Sequence, residues 1–380
     1  MITIAVVVLG IVVAAFACWR PATVGDIACT SRGTAVRSFT VIVPARNEAT
    51  NLPVLLRSIE ASDVHPDEVI VVDDGSTDDT AAVARAGGAR VVAAGALPDG
   101  WAGKPWACAV GTDASRADVL VFLDADVTLA PAALGAITSA CDSRGGLLSV
   151  QPRHRTGRWY EELSALFNAA AVLGSGEFRR GRSPARADRA AAFGPCLVTR
   201  RIDLDAVGGF GAVRESVIED LDLATEYRRH ELPVTCLLGG RSISFRMYPN
   251  GLRPLVDGWT KNMALGARHA DTAAVVATVV WIASLAAAAT AAVSGTISWL
   301  AGDDSSPTAA LVAYALAAIH LGWQLRRLGT FRWLTAALFP VPLAMFMVVF
   351  ARSGWRVVRG APVEWKGRSV PTVVAQGRGH

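Results

Sequence analysis

None of the six cysteines (Cys18, Cys29, Cys108, Cys141, Cys196 and Cys236) forms a CxxC pair or stands at a metal-binding spacing. That argues against a cysteine-built metal site and fits free thiols in a reducing compartment. No GxGxxG follows the first strand-like run, which disfavours a dinucleotide-binding Rossmann domain. No GxxxxGK[ST] is present either, which excludes a P-loop. The formal net charge is only +4, too small to argue for nucleic acid as a partner. No positive charge precedes the first apolar run, residues 2–18, so that run does not read as a signal peptide.

Apolar residues, by contrast, are abundant: 52% of the 380 residues are hydrophobic. They concentrate in residues 2–18 and after residue 272, whereas the charges concentrate between 20 and 270. This distribution describes a polar body with membrane segments at both ends. Arg20, Arg32 and Arg37 follow the first run. By the positive-inside rule they put the N-terminus outside and the body in the cytoplasm, within a multi-pass protein of the cell membrane. Residues 273–300 and 308–323 flank an acidic loop, "AGDDSSP", suited to the outer face, and Arg326, Arg327 and Arg332 mark a cytoplasmic turn. A last apolar stretch, 333–350, is interrupted by Pro340 and Pro342. Three C-terminal crossings would leave the tail outside, yet Arg352, Arg356, Arg359, Lys366 and Arg368 favour the cytoplasm, so either the segment is re-entrant or the number of crossings is not three. The divisions are residues 1–19 (a transmembrane helix), 38–250 (a cytoplasmic body), 251–272 (an interfacial amphipathic segment), 273–350 (a transmembrane region) and 351–380 (a basic tail).

Within the body, strands alternate with helices, which means an α/β fold on a mostly parallel sheet. "FTVIVPARNEATNLPVLLRSI" (39–59) reads strand, loop, helix. "DEVIVVDDGSTDDTAAVARAGG" (67–88) repeats the plan, with Thr77 or Asp78 as cap and Gly87-Gly88 as stop. Residues 90–93 and 119–123 are further strands. Asp124 and Asp126 end an otherwise continuous apolar run, "DVLVFLDADVTL". Burying an unpaired carboxylate is costly, so this pair belongs where the strand leaves the sheet. Open α/β sheets bind ligands at that carboxyl edge. Glu48, Asp73 and Asp74 also fall just after strands.

Five motifs in order, "VIVPARNE", "VVDDGSTDDT", "GWAGKPWA", "LDADV" and "ESVIEDLDLATEYRR", make residues 38–270 resemble a family 2 glycosyltransferase of GT-A fold. With the membrane segments and "WKGR" (365–368), the chain is most similar to bacterial membrane glycosyltransferases of carotenoid and hopanoid pathways. The resemblance implies that Pro44, Ala45, Glu48, Asp73 and Asp74 line the nucleoside pocket and that Lys104 approaches the diphosphate or ribose of a UDP-sugar. It assigns Asp124 and Asp126 to the DxD motif and Asp220, beside Glu219, to the catalytic base.

The chemistry agrees with those assignments. Mg2+ or Mn2+ takes carboxylates and phosphate oxygens, and two Asp one residue apart at a strand end can hold such an ion against a leaving diphosphate. A base must take the acceptor proton, and the acids of "ESVIEDLDLATEYRRH" (215–230) open a helix where one can do so. A solvated loop at the Asp pair, or acids that merely suit the helix dipole, is the bland alternative. Processive family members carry QxxRW. Here "NGLRPLVDGWTKNMALGARH" (250–269) offers Trp259 but neither the Gln nor the Arg. Its apolar positions, among them Leu252, Leu255 and Trp259, mix with Arg253, Lys261, Arg268 and His269 as in an interfacial helix. A single inverting transfer to a membrane lipid such as a carotenoid or hopanoid is the expectation. Transfer to a polyprenyl phosphate or glycolipid, and a nucleotidyltransferase, are the alternatives. The arginines at 153, 155, 158, 179, 180, 182, 186 and 189 serve a headgroup face or a phosphate-bearing substrate. Residues 158–178 form an apolar helix, either core or the mouth through which a lipid arrives.

Overall fold

The computed structural model describes residues 2–18, 21–28, 37–178, 191–266, 271–303, 306–359, 363–365 and 368–370. Arg20, Cys29, Arg32, the arginines from 179 to 189, Arg268, His269 and Lys366 lie outside the described residues. The chain divides into two compact units, one of residues 21–154 and 183–246 and one of residues 1–20, 155–182 and 247–380.

Among the described residues the first unit has ten strands: β1 Phe39–Ala45, β2 Glu68–Asp73, β3 Arg90–Ala93, β4 Val119–Leu123, β5 Val127–Leu129, β6 Leu147–Gln151, β7 Arg153–His154, β8 Cys196–Arg200, β9 Val234–Leu238 and β10 Ile243–Phe245. Seven of them form one sheet in the order β3-β2-β1-β4-β8-β6-β9. β3, β2, β1 and β4 run parallel, β8 is antiparallel to β4 and β6, and β9 is parallel to β6. β4 is buried at all five positions, as a strand covered on both faces should be. β1 and β4 lie side by side at the centre, with β2 beyond β1, so chain order reverses there and opens a crevice at the carboxyl ends.

Helix Gly103–Ala114 covers this centre. Its Gly111 has no Cβ for a reason: one built there would lie 2.4 Å from Ile42 Cγ2 and 3.0 Å from Val72 Cγ2. A smaller sheet, β5-β10-β7, follows the acidic turn after β4. The helix expected near residue 77 begins at Thr80. Asp79 stands at its N-cap position, and the Asp78 carboxylate accepts the Thr80 N–H at 3.0 Å. On the far edge Leu238 N–H donates to Ala22 O at 2.9 Å, so the segment after the first helix extends the sheet beside β9.

The second unit is helical. Thr272–Leu300, Thr308–Leu328 and Pro340–Arg359 are long and apolar enough to cross a membrane, and Ile2–Ala17 is a shorter apolar helix. Pro340 opens its helix rather than interrupting one, which suits a residue without an N–H. Residues 159–164 form a 3-10 turn and Ala165–Gly174 an α-helix. In helix Leu252–Gly266, Leu255 and Trp259 are buried in protein rather than facing outward. Trp259 stacks on Phe167 with centroids 4.9 Å apart and donates Nε1–H to Ser164 Oγ at 3.0 Å. That helix is tied to Pro340–Arg359 by Arg352 and Asp257, 2.7 Å apart.

Candidate active site

The crevice gathers residues from four places in the chain. Asp124 follows β4 directly. Its N–H donates to Pro195 O at 3.0 Å, and its carbonyl accepts Val127 N–H at 3.1 Å, closing the tight turn that carries Asp126. Arg246 N–H donates to the Asp126 carbonyl at 3.2 Å, fixing the far side of the turn. Asp124 and Asp126 are both half-buried at the sheet edge, as the apolar run before them required.

Lys104 sits in the first turn of helix Gly103–Ala114, whose start is held by Ala102 N–H donating to Arg214 O at 2.6 Å. Its ammonium lies 2.7 Å from Asp124 Oδ1 and 3.0 Å from Glu219 Oε1. Burial works against this charge. The two carboxylates overcome it and hold the Lys104 pKa well above the ordinary lysine value. Lys104 is therefore a fixed positive charge at any physiological pH.

Glu219 and Asp220 open helix Glu219–Arg229, where acids meet the positive end of the helix dipole. Glu219 is buried and Asp220 is half-buried. The Asp220 Oδ2 accepts Gly194 N–H at 2.7 Å. Burial, and then the neighbouring Glu219 charge, push Asp220 up to about 7, while Lys104 and the Gly194 and Leu221 N–H groups pull it the other way. A carboxylate poised near neutrality is matched to taking a proton at physiological pH. Cys108 and Cys196 stand close by, but burial raises both thiols far above the range of a reactive thiolate.

The expected nucleoside residues form a second group along the same edge. Pro44 and Ala45 end β1, opposite Val72 and Asp73 of β2. Two loops are clipped together there. Asp74 N–H donates to Ala45 O at 2.9 Å, and Arg46 Nη1 donates to Asp74 O at 2.6 Å. Asn47, in the left-handed region at φ 56°, accepts Thr77 N–H through Oδ1 at 2.8 Å. Asp73 Oδ1 accepts Ser76 N–H at 3.0 Å, and Glu48 Oε2 accepts from Asn51 Nδ2 at 2.6 Å. Glu48 and Asp73 thus hold the loops that leave the sheet at this edge. Arg46 and Arg246 were missed from sequence; Arg46 stands inside "PARNE", the one local signal for it.

Among the described residues no three His, Cys, Asp or Glu side chains converge as a complete metal cage. The donor set nonetheless fits a hard divalent ion that keeps one or two carboxylates and takes its remaining ligands from substrate phosphates and water. Asp124 engages Lys104 through Oδ1 and leaves Oδ2 without a protein partner among the described residues. Lys104 pairs with Asp124 and Glu219 and also acts on Asp220 through its charge.

A doubly covered, mainly parallel sheet with an acid pair leaving its central strand, faced by a second acid pair at a helix start, defines a GT-A glycosyltransferase. The chain belongs to family 2 of the glycosyltransferases: residues 40–203 match Glycosyl transferase family 2. Among its relatives is the 4,4'-diaponeurosporenoate glycosyltransferase of Staphylococcus aureus. The enzyme of strain MRSA252 is 37% identical over 339 residues, covering 87% of this chain and 88% of the relative. That of strain USA300 is 36% identical over the same length. Similar solved structures include glucosyl-3-phosphoglycerate synthase from Mycobacterium tuberculosis with Mn2+, UDP and glucosyl-3-phosphoglycerate, 25% identical, covering 64% of this chain and 82% of that one at TM-score 0.40. A mannosyltransferase from Pyrobaculum calidifontis with GDP-Man and Mn2+ is 20% identical and covers 88% of this chain and 98% of its own at TM-score 0.47.

Proposed function

We propose that the chain transfers one sugar from a UDP-sugar, with inversion at the anomeric carbon, to an oxygen of a membrane lipid. The observation that carries the reading is the pair of ion contacts at Lys104, which set the DxD aspartate Asp124 one side chain away from Glu219 and Asp220. Donor and acceptor chemistry need that proximity. The acceptor oxygen bonds to the anomeric carbon as the bond from that carbon to the diphosphate oxygen breaks. UDP leaves with the electron pair; a hydroxyl acceptor passes its proton to Asp220, whereas a carboxylate acceptor arrives ionised and brings none. Pro44, Ala45, Glu48, Asp73 and Asp74 border the nucleoside, and Lys104 faces the diphosphate.

Asp124 and Asp126 would hold Mg2+ or Mn2+. Such an ion, when bound, offsets the charge of the departing diphosphate. The lipid acceptor is supported by the name of the relatives, 4,4'-diaponeurosporenoate glycosyltransferase, and by three helices long enough to cross a membrane. A carotenoid is therefore the first acceptor to try. The absence of QxxRW supports a single transfer rather than polymerisation. The arginines after the first apolar run support a cytoplasmic body, where nucleotide sugars are found.

The test is UDP release from UDP-glucose by the full chain in detergent micelles, with and without a carotenoid. Release that rises with the lipid and yields a glycosylated carotenoid supports the reading. Release that ignores the lipid, with free sugar as product, removes the lipid acceptor.

A further inference from the structure

The turn Gly194–Pro195, just before β8, touches three residues of the site at once. Gly194 N–H donates to Asp220 Oδ2 at 2.7 Å. Gly194 O faces the Lys104 ammonium at 3.5 Å. Pro195 O accepts Asp124 N–H at 3.0 Å. Three consecutive peptide groups thus contact the base, the shared cation and the first DxD aspartate, which lie on three different elements. The turn is itself anchored from the other side: Phe193 N–H donates to the buried Ser149 Oγ of β6 at 2.6 Å.

Glycine has a steric reason to be there. A Cβ at residue 194 would stand 3.0 Å from Asp220 Oδ2, 3.2 Å from Asp220 Cγ and 3.3 Å from Lys104 Nζ. Its φ lies outside the left-handed region, so an alanine backbone is permitted and only the space is contested. The contested space is the approach between the Lys104 ammonium and the Asp220 carboxylate.

We propose that Gly194 is a positioning residue of the transfer centre, whose N–H aims the Asp220 carboxylate and whose missing side chain lets Lys104 and Asp220 face each other. This rests on the reading of Asp220 as the base. Among the described residues, the charged groups facing Asp220 are Glu219 on its own helix and Lys104 from helix Gly103–Ala114, with Asp124 beyond Lys104. Gly194 and Lys104 both favour the ionised carboxylate, and Glu219 opposes it. Displacing the first two therefore raises the proton affinity of Asp220.

The experiment compares wild type, Gly194→Ala, Asp220→Asn and the double variant, as full chains in micelles. Two readouts are taken across pH 4 to 9: UDP release from UDP-glucose with a hydroxylated carotenoid, and melting temperature. The melting readout needs no substrate. The difference between a background and its Asp220→Asn partner reports where Asp220 titrates in the fold. In Gly194→Ala, transfer at pH 7 should fall about 10- to 100-fold, and the acid limb and the melting-derived titration should both move up by about one pH unit. A slower Gly194→Ala enzyme whose Asp220 titrates as in wild type overturns the positioning role while leaving Asp220 as base. Undiminished transfer by Asp220→Asn overturns the base reading and the proposal with it. Should Gly194→Ala not fold, Ser149→Ala loosens the same turn without adding atoms. It should shift the titration in the same direction by less, and an unshifted titration overturns the proposal.

Discussion

Lys104 Nζ lies 2.7 Å from Asp124 Oδ1, joining the first turn of a helix to the end of the central strand. The same ammonium reaches Glu219 Oε1 at 3.0 Å, so one cation serves two acids. Lys104→Met leaves Glu219 buried without its counter-charge. Removing one partner of a buried pair costs 3–5 kcal/mol, and the one-third exposure of Lys104 and Asp124 lowers the expected loss to about 2 kcal/mol. The melting temperature should drop accordingly. The acid limb of transfer should also move up, because Lys104 no longer favours ionised Asp220. A Lys104→Met protein with wild-type melting and pH profile would show that the ion cluster holds nothing together.

UDP binding should depend on a divalent ion. Calorimetric titration with UDP should give tight binding in Mn2+ or Mg2+ and weak binding in excess chelator. Asp126→Ala should remove most of the difference between the two conditions, because it takes away one of the two carboxylates offered at the end of β4. Equal affinity in metal and in chelator would remove the DxD reading of Asp124 and Asp126.

Gly111→Ala should destabilise the first unit. The new methyl would stand 2.4 Å from Ile42 Cγ2 at the centre of β1, in a well-packed layer. Overpacking of this kind costs about 1–3 kcal/mol. Ile42→Ala would be destabilising alone, by opening a cavity, yet the double variant should lose less than the two single losses added. Strict additivity in denaturant titrations would mean that the helix shifts away instead of pressing on β1.

The elements that could be read from sequence are those with local causes. β1 and β4 are continuous apolar runs ended by Pro44-Ala45 and by Asp124, and the cost of burying a carboxylate placed Asp124 and Asp126 at the sheet edge before any fold was known. The helix start at Glu219 was legible from Leu221, Leu223 and Ala224 with the acids before them. What remained hidden depends on distant partners. Lys104 meets Glu219 from far along the chain, and neither residue carries a mark of the other. The antiparallel β8 looks like its parallel neighbours, because burial on both faces gives the same apolar run in either direction. The apolar face of Leu252–Gly266 has the periodicity of an interfacial helix, but periodicity does not say what covers a face. Leu255 and Trp259 are covered by protein, whereas Leu252 is exposed.

Asp220→Asn separates the chemistry of this carboxylate from its place in the fold. Asn keeps the size and can still start a helix, so the fold should survive. In wild type, burial and Glu219 raise Asp220 to about 7, so the folded protein holds this proton more tightly than the unfolded chain does. For a carboxyl group raised in this way, stability is lost as pH climbs from the ordinary aspartate value towards 7, and the loss is complete above it. Asp220→Asn escapes that loss, so its melting temperature should exceed that of wild type at pH 8 and match it near pH 4. Activity should move oppositely. Wild-type transfer should fall about tenfold for each pH unit below about 7, as the base becomes protonated. At and above pH 7 Asp220→Asn should lose about 10²–10⁴-fold with a hydroxyl acceptor while binding UDP as wild type does, and the gap should close as pH falls and the wild-type base is protonated. A carboxylate acceptor arrives already ionised and makes no demand for a base, so with it the loss should be under about tenfold. Measuring both acceptors on this variant tells base catalysis from a helix cap: a cap predicts normal rates on both, and that outcome would move the proton-accepting role to Glu219.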